Sequence, residues 1–208
     1  MNLSERYSRQ IMLEPIGEAG QKKLSQASVL LVGVGGLGSP IALYLTGAGV
    51  GRLGLIDGDV VSESNLQRQV LYTEEEIGRP KAECARRRLQ ALSSTIEIDV
   101  YPYFLTRDNA LSIIQNYDIV VDGCDNFATR YLIDDCCRET GKPYVYGTIG
   151  EFRGQASVFN YRGGIGYRDL YPDEMELTAS PSKPGGVLSY LPYCCFSHRI
   201  SGNGIDLG

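Results

Sequence analysis

The sequence predicts an α/β fold with a mostly parallel sheet, helices on both faces and an antiparallel extension near the C-terminus. The apolar run over 29–32 is typical of a strand buried on both faces, and a glycine cluster leads it directly into an apolar helical pattern over 41–48. Strand and helix patterns then alternate along the chain, as they do in parallel sheets. No helical pattern separates the last two strands, over 144–148 and 155–161. Together these observations predict a Rossmann-like arrangement.

The other elements follow from the same patterns in chain order. A helix over 18–26 leads into the first strand, and a glycine-rich stop at 49–51 precedes a second strand over 52–57. A polar segment comes next, and Pro80 then opens another helix. The later predictions are a helix over 81–91, a strand over 96–103, a helix over 107–115, a strand over 117–122 and a helix that ends near 139.

The composition indicates one domain with a sizeable core. The chain has 208 residues, is 43% hydrophobic and carries a formal net charge of −5. That charge does not fit the basic face usual in nucleic-acid binders, and no apolar stretch reaches the ~20 residues that span a bilayer. Residues 1–28 lack the apolar core of a signal peptide. We therefore expect a cytoplasmic protein that binds neither nucleic acid nor a membrane.

Cysteine and histidine usage limits the possible chemistry. His198 is the only histidine, so catalysis by a histidine acid or base is not expected. The cysteines form no C-x-x-C pair, which disfavours a structural zinc site, and most of these thiols are expected to be reduced and buried. The six cysteines are Cys84, Cys124, Cys136, Cys137, Cys194 and Cys195.

The glycine cluster predicts a nucleotide site. Gly33, Gly35 and Gly38 give the G-x-G-x-x-G spacing, and Gly36 is an additional glycine. Glycine lets the backbone bend sharply and approach a phosphate without a Cβ, so that N–H groups at the helix start meet the anion. The alternative is a glycine-rich turn without a ligand. The motif indicates a nucleotide but not a reaction.

Polar residues near strand ends and helix starts are further candidates. Asp57 comes about 20 residues after the glycine motif, where an acidic residue commonly binds a ribose, although Asp-Gly is also a turn signal. Lys81 lies in the first turn of its helix, where a cation opposes the helix macrodipole unless an anion is present; a solvated lysine is the alternative. Asp125 and Asn126 lie between a strand end and a helix start, so capping competes with ligand binding as their role.

Six motifs in order resemble the ThiF/MoeB/HesA family, the bacterial relatives of ubiquitin-activating enzymes. They are Arg6–Gln10, Gly33–Gly38, Asp57–Asp59, Ser64–Gln69, Gly78–Lys81 and Asp125–Arg130. The resemblance extends to Leu191. It implies an ATP-binding adenylation domain over 1–192, followed by an atypical tail over 193–208 for which disorder is one interpretation.

The resemblance also implies an activity. The family binds Mg-ATP and adenylates the C-terminal glycine carboxylate of a ubiquitin-like sulfur carrier, releasing pyrophosphate, in thiamine or molybdopterin-type cofactor biosynthesis. This chemistry needs two anions aligned and their charge neutralised, and it needs no histidine. The implied ligands are ATP and Mg²⁺, and the implied partners are a ThiS- or MoaD-like sulfur carrier and a second copy of the chain in a homodimer.

The resemblance assigns roles to individual residues. Its catalytic residues would be Arg9, Arg68, Lys81 and Asp125, with Asp125 holding Mg²⁺ and Arg9 acting across the homodimer. Asp57 would face the ribose, and Gly36 would face the phosphates. The full nucleotide-binding set would be Gly33, Gly35, Gly36, Gly38, Asp57, Asp59, Ser64, Asn65, Gln67, Arg68, Lys81, Asp125 and Asn126.

The sequence departs from the family at three places. Gly166 and Asp169 stand where many members carry the first C-x-x-C of a zinc site, so zinc is not expected. Ser182 stands where some members carry a loop cysteine, which a thioester or acyl-disulfide step would need. After Pro192 the family's long apolar helix gives way to a tail without helical periodicity.

Two alternatives also fit parts of the sequence. An NAD-dependent oxidoreductase fits the glycine motif and Asp57 equally well, but it leaves Asn65, Arg68 and Lys81 unexplained. A catalytically impaired, carrier-binding subunit would fit the missing loop cysteine and the atypical tail.

Overall fold

One sheet organises the chain in a computed structural model, which describes residues 3–150 and 153–172. The strands of the sheet are β1 (Ser28–Val32), β2 (Arg52–Ile56), β3 (Glu97–Tyr101), β4 (Ile119–Asp122), β5 (Tyr144–Gly150) and β6 (Arg153–Phe159). In these residues the sheet has six strands in the order β3-β2-β1-β4-β5-β6. The first five run parallel, and β6 pairs antiparallel with β5. The predicted α/β class and the antiparallel extension are confirmed.

Helices precede β1, lie in the connections between the parallel strands and follow β6. They are α1 (Leu3–Arg6), α2 (Ser8–Ile11), α3 (Gly17–Gln26), α4 (Gly38–Ala48), α5 (Lys81–Leu92), α6 (Ala110–Ile114), α7 (Phe127–Thr140) and α8 (Tyr167–Leu170). Short 3₁₀ helices occur at Glu63–Asn65, Glu74–Glu76 and Tyr161–Gly163. None of the described helices is long and apolar enough to cross a membrane. The predicted tail, Ser182, Cys194, Cys195 and His198 lie outside the described residues.

Several elements are shorter than the sequence predicts, and for two of them a local cause is visible. β3 ends at Tyr101 instead of 103, because Pro102 follows it and has no N–H for the strand ladder. α6 begins at Ala110 instead of 107. The side chain of Asn109 accepts a hydrogen bond from the Thr106 N–H and donates one to the Phe104 carbonyl, which holds the preceding residues in a turn.

The sheet is buried on both faces. Leu30 and Val32 of β1 face a core formed with α6 and α7, while Val29 and Leu31 face a second core formed with α4 and α5. This two-sided burial is the reason why β1 is a continuous apolar run rather than an alternating one. Helices on both faces, as the sequence predicts, therefore cover a sheet with two apolar surfaces.

The strand order creates a crevice between β1 and β4. The chain leaves β1 toward β2 on one side of the sheet, and it returns to β4 on the other side. At such a switch point the loops after the two strands diverge, and their carboxyl ends line a ligand site. The Gly33 N–H donates to the Ile56 carbonyl at 2.8 Å, and the Gly123 N–H donates to the Val32 carbonyl at 2.7 Å. These bonds extend the ladder into the loops that follow β1 and β4.

A polar clip joins the opposite ends of the same two strands. The Asp118 carboxylate accepts hydrogen bonds from the Ser28 N–H at 2.9 Å and from the Ser28 hydroxyl at 2.6 Å. The Asp118 N–H donates in return to the Ser28 carbonyl at 3.0 Å. Because these donors stabilise the charged form, and the hydroxyl contributes most, the pKa of Asp118 is lowered from its ordinary value.

We expect the Asp118→Ala variant to be about 1 kcal/mol less stable than the unmodified protein at pH 7, a reduced value for a charged hydrogen bond because this carboxylate is exposed. The lowered pKa makes the difference complete above pH ~5, and the difference declines as the pH falls through the folded-state pKa. Urea unfolding at pH 7 and pH 3 measures it. Asp108→Ala, at an exposed aspartate, is the control. A loss of the same size at both pH values would contradict the ionic contribution.

Candidate active site

Backbone packing at the crevice requires glycine at two positions of the motif. Gly33 has a φ of +85°, and a Cβ there would lie 2.8 Å from the Gly123 carbonyl oxygen. A Cβ on Gly38 would collide with the Gly33 carbonyl oxygen. The glycine loop, residues 33–38, thus packs backbone to backbone against itself and against the loop after β4.

Gly35 and Gly36 are not required by the fold in this way. Neither has a positive φ, and a Cβ would first meet Gln69 Nε2 at 3.4 Å from Gly35 and Arg68 Cδ at 3.6 Å from Gly36. In the described part of the chain, the N–H groups of Gly35, Gly36 and Leu37 donate no hydrogen bond. Unpaired N–H groups at the start of a helix form an anion-binding cradle. This cradle is the central feature of the site.

Val34 is fixed from both sides and holds the cradle in place. Asp57 Oδ2 accepts the Val34 N–H at 2.8 Å, and the Tyr72 and Ser39 hydroxyls donate to the Val34 carbonyl at 2.7 and 3.2 Å. Tyr72 lies 38 residues from Val34, so this clamp could not be predicted from local sequence.

Asp57 stabilises the turn that the Asp-Gly sequence predicts. Its Oδ1 accepts the Asp59 N–H at 2.9 Å, while its Oδ2 binds Val34. Burial raises the pKa of the Asp57 carboxyl from its ordinary value, and the two N–H donors act in the opposite direction. A carboxylate has about four acceptor positions, so these bonds leave positions for a ribose hydroxyl. The ribose role stays a prediction.

Lys81 is buried and paired. Its ammonium lies 3.0 Å from Asp59 Oδ2, and its side chain is 5% exposed whereas that of Asp59 is 56% exposed. The interpretation of Lys81 as a solvated lysine is therefore wrong. The Asp59 carboxylate supplies the negative charge that a cation at the start of α5 needs against the helix dipole. The Lys81 N–H also donates to the Asp59 carbonyl at 3.0 Å, which aligns the two segments.

A polar excursion, residues 60–80, carries four further predicted residues. A bridge between Val60 and Pro80 closes it, and buried Leu71 anchors it to the core. The Arg68 side chain is thereby placed beside Gly36, and its Nη1 donates to the Ser64 carbonyl at 3.3 Å. The four predicted residues on this excursion are Ser64, Asn65, Gln67 and Arg68; Ser64 and Gln67 are exposed, and the other two are half-buried.

The two candidate capping residues in the loop after β4 have different environments. Asn126 is the N-cap of α7, since its side chain accepts the Thr129 N–H at 2.9 Å. Asp125 is exposed, and its carboxylate has no hydrogen-bond or ionic partner within the described residues. Capping is therefore correct for Asn126 and wrong for Asp125. Gly123, two residues earlier in the same loop, packs against the glycine loop. A carboxylate without a protein partner at this place fits Mg²⁺, which takes one or two protein carboxylates together with phosphate oxygens.

No three His, Cys, Asp or Glu side chains in the described ranges come together as a metal site of their own. At the position of the family's zinc motif, Asp169 Oδ2 instead accepts the Gly166 N–H at 2.7 Å and binds Arg138 at 2.9 Å. These contacts close the start of α8. The pKa of the Asp169 carboxyl is lowered, chiefly by the Gly166 N–H.

A buried ion pair that the sequence analysis missed supports the loop after β4, residues 123–126, which is called the Asp125 loop below. Arg130 Nε lies 3.3 Å from Asp122 Oδ2, with side-chain exposures of 4% and 0%. Asp122 Oδ1 accepts the Cys124 N–H at 2.8 Å, and Arg130 Nη2 donates to the Cys124 carbonyl at 3.1 Å. Burial raises the pKa of Asp122, and Arg130 opposes this. The available signal was a carboxylate ending an apolar strand and an arginine in the following helix.

The structure does not bring Arg9 to the cradle within one chain. Arg9 is exposed on α2, and its neighbour Gln10 donates to the Ala48 carbonyl at 3.2 Å, at the C-terminal end of α4. The cradle lies at the other end of α4, and a helix of this length extends about 16 Å. An Arg9 role at the phosphates therefore requires another copy of the chain.

Comparison with known proteins gives consistent matches. The model of the ThiF family matches residues 7–193. The chain is 48% identical over 194 residues to "Sulfur carrier protein adenylyltransferase" of Thermus thermophilus, covering 90% of this chain and 72% of that protein. It is 44% identical over 190 residues to "Probable molybdopterin-synthase adenylyltransferase" of Porphyra purpurea, covering 90% of this chain and 50% of that protein. The chain thus spans half the length of the second relative.

Two solved structures share the fold. The crystal structure of PaaA matches with a TM-score of 0.72 and 25% identity, over 81% of this chain and 55% of that one. The crystal structure of E. coli MccB with ATP matches with a TM-score of 0.62 and 29% identity, over 71% of this chain and 46% of that one.

Substitutions at two motif glycines should distinguish a position that serves ligand binding from one that the fold requires. We expect Gly36→Ala to change the free energy of unfolding by less than about 0.5 kcal/mol, because the Cβ meets only ordinary contacts. It should weaken ATP binding about tenfold, by blocking close approach of a phosphate to the cradle. Gly38→Ala should lower the free energy of unfolding by at least about 1–3 kcal/mol, since its Cβ would meet backbone atoms of Gly33. Urea unfolding and titration calorimetry measure both variants. Equal destabilisation by the two substitutions would contradict this division.

Proposed function

The chain belongs to the ThiF family, and on that premise we propose that it uses ATP to adenylate the C-terminal carboxylate of a ubiquitin-like sulfur carrier protein. The observation that carries the proposal is the cradle at residues 35–37, whose N–H groups have no partner in the described part of the chain, with the Arg68 side chain beside it. The relative from Thermus thermophilus bears the name of this activity.

In the proposed reaction, the carrier's carboxylate attacks the α-phosphate of ATP and pyrophosphate leaves. Two anions must approach, so the protein has to offset their repulsion and align them. The cradle would bind phosphate oxygens, while Arg68 and Lys81 would offset charge around them. Lys81 is suited to this because its burial and its pairing with Asp59 fix its position before a substrate arrives. Asp125 would hold Mg²⁺, which supplies further charge neutralisation on the phosphates.

The proposal includes a molybdopterin-type or a thiamine-type carrier, acting in the cytoplasm. The name of the Porphyra purpurea relative supports the molybdopterin-type carrier. No histidine step is required, which fits a chain with one histidine far along the sequence. An oxidoreductase would give Arg68 and Lys81 no role toward its ligand, and the two relatives reported above are named adenylyltransferases.

ATP–pyrophosphate exchange with purified MoaD-like and ThiS-like carriers tests this function. We expect exchange by the unmodified protein with one carrier and a loss of about 100-fold or more in Asp125→Ala, because a charge-stabilising group is removed. The melting temperature should not change, since the Asp125 carboxylate has no partner in the described residues. Asp108→Ala is the exposed control.

Three results would contradict parts of this proposal. Substantial exchange by Asp125→Ala would reject the metal role, and its unfolding would indicate a structural role instead. No exchange with either carrier would favour the carrier-binding, non-catalytic subunit.

We further propose that Arg9 serves the site of a partner copy in a homodimer. The position of Arg9 supports this proposal, because Arg9 lies on α2 near the C-terminal end of α4, whereas the cradle lies at the N-terminal end of α4. A guanidinium that enters from a second subunit would offset charge as pyrophosphate leaves, a contribution of several kcal/mol in comparable cases.

Mixing Arg9→Ala and Lys81→Ala subunits tests action in trans. Each variant alone should be inactive in pyrophosphate exchange, whereas a mixed dimer would contain one complete site. When equal amounts of the two variants exchange subunits at random, about half of the dimers are mixed and each has one complete site of two. About a quarter of the original activity should therefore return. Dimer formation is measured first by light scattering. No recovery from a demonstrated mixed dimer would show that Arg9 acts in cis or has no catalytic role.

A further inference from the structure

One buried side chain beside the cradle makes no hydrogen bond within the described residues. Gln69 is 4% exposed. Its Nε2 lies 3.4 Å from the position that a Cβ on Gly35 would take, so the carboxamide lies beside the glycine loop. Its Oε1 is buried without a hydrogen-bond partner among the described residues. Buried polar side-chain atoms are normally hydrogen-bonded, and an exception calls for a physical reason.

The backbone of Gln69, in contrast, is firmly held. The Gln69 N–H donates to the Asn65 carbonyl at 2.9 Å, and the Gln69 carbonyl accepts the Tyr72 N–H at 3.2 Å. Tyr72 in turn binds Val34 of the glycine loop. The carboxamide is therefore held at a fixed place beside the cradle, although it makes no hydrogen bond there with the described residues.

Gln21 shows how a structural glutamine behaves in the same protein. It is also buried, but its Nε2 donates to the Ala48 carbonyl at 3.0 Å and its Oε1 accepts from Gln10 Nε2 at 2.8 Å. Both ends of its carboxamide are used to join α2, α3 and α4. Gln69 has the same burial without such a function, so burial alone does not account for its state.

We propose that Gln69 is a further nucleotide-binding residue, whose carboxamide donates a hydrogen bond to a phosphate oxygen held at the glycine loop. This inference rests on the proposed function. Phosphate oxygens accept hydrogen bonds and donate none at neutral pH, so the amide nitrogen, which is the end beside Gly35, is the one that binds. The buried Oε1 gains no partner from the phosphate and stays unpaired among the described residues. A donor in a buried position is electrostatically stronger than one in water, and a neutral donor orients the phosphate without adding charge.

The proposal predicts opposite effects on stability and on binding. An unpaired buried acceptor destabilises the free protein, so replacement of Gln69 by an apolar residue of similar volume removes that cost. The same replacement removes the donor to the phosphate. A structural glutamine would behave differently, because its replacement would lower both stability and binding.

Gln69→Leu is the main test, with Gln69→Met as a second variant should the leucine variant not fold, and Gln90→Leu on the exposed part of α5 as control. Melting temperature is measured by calorimetry, and affinities for ATP and for adenosine are measured by equilibrium titration. We expect ATP to bind about fivefold or more weakly, the size of one neutral hydrogen bond. Adenosine affinity and melting temperature should not fall.

The outcomes separate this inference from the proposed function. ATP affinity within twofold of that of the unmodified protein would overturn the role of Gln69 while leaving the proposed function intact. Equal losses for ATP and adenosine, together with a lower melting temperature, would identify Gln69 as structural. Failure of the unmodified protein to bind ATP would reject the proposed function and this inference with it.

Discussion

The close approach of two loop backbones is the constraint on which the rest of the site depends. Gly33, Gly38 and Gly123 pack so tightly that a Cβ on any of them would meet backbone atoms. This contact lets the loops after β1 and β4 share one crevice, and it orients the start of α4 toward it. The cradle and the Asp125 loop owe their relative placement to a contact in which no side chain lies between the two backbones.

Carboxylates at the ends of strands fix the loops once the backbones have met. Asp57 holds Val34 of the glycine loop, and Asp122 holds Cys124 of the loop after β4. Both carboxyls are buried and have a raised pKa, because desolvation disfavours their charge more strongly than the N–H donors favour it. Asp122 is additionally paired with Arg130. Asp57 thus joins the end of β2 to the loop after β1, whereas Asp122 holds the loop that follows its own strand.

The polar groups around the crevice fall into two kinds: some bond other parts of the chain, and others have no such bond within the described residues. Asp57, Asp59 and Asn126 each bond another part of the chain, so their contacts account for their positions. Asp125, Gln69 and the N–H groups of residues 35–37 surround the same crevice without such bonds among the described residues. A polar group that a fold positions but does not satisfy is available to a ligand, and here these groups point to a phosphate-bearing one.

The sequence alone determined the order of strands and helices, the antiparallel end of the sheet and the glycine loop, because these depend on local periodicity and on glycine's lack of a Cβ. The six motifs likewise identified the family. Tertiary structure decided what spacing cannot encode: the burial of Lys81 against Asp59, the unpaired carboxamide of Gln69 and the distance of Arg9 from the cradle. Each of these depends on contacts between segments far apart in the chain, and such contacts are fixed only when the sheet and its loops close together.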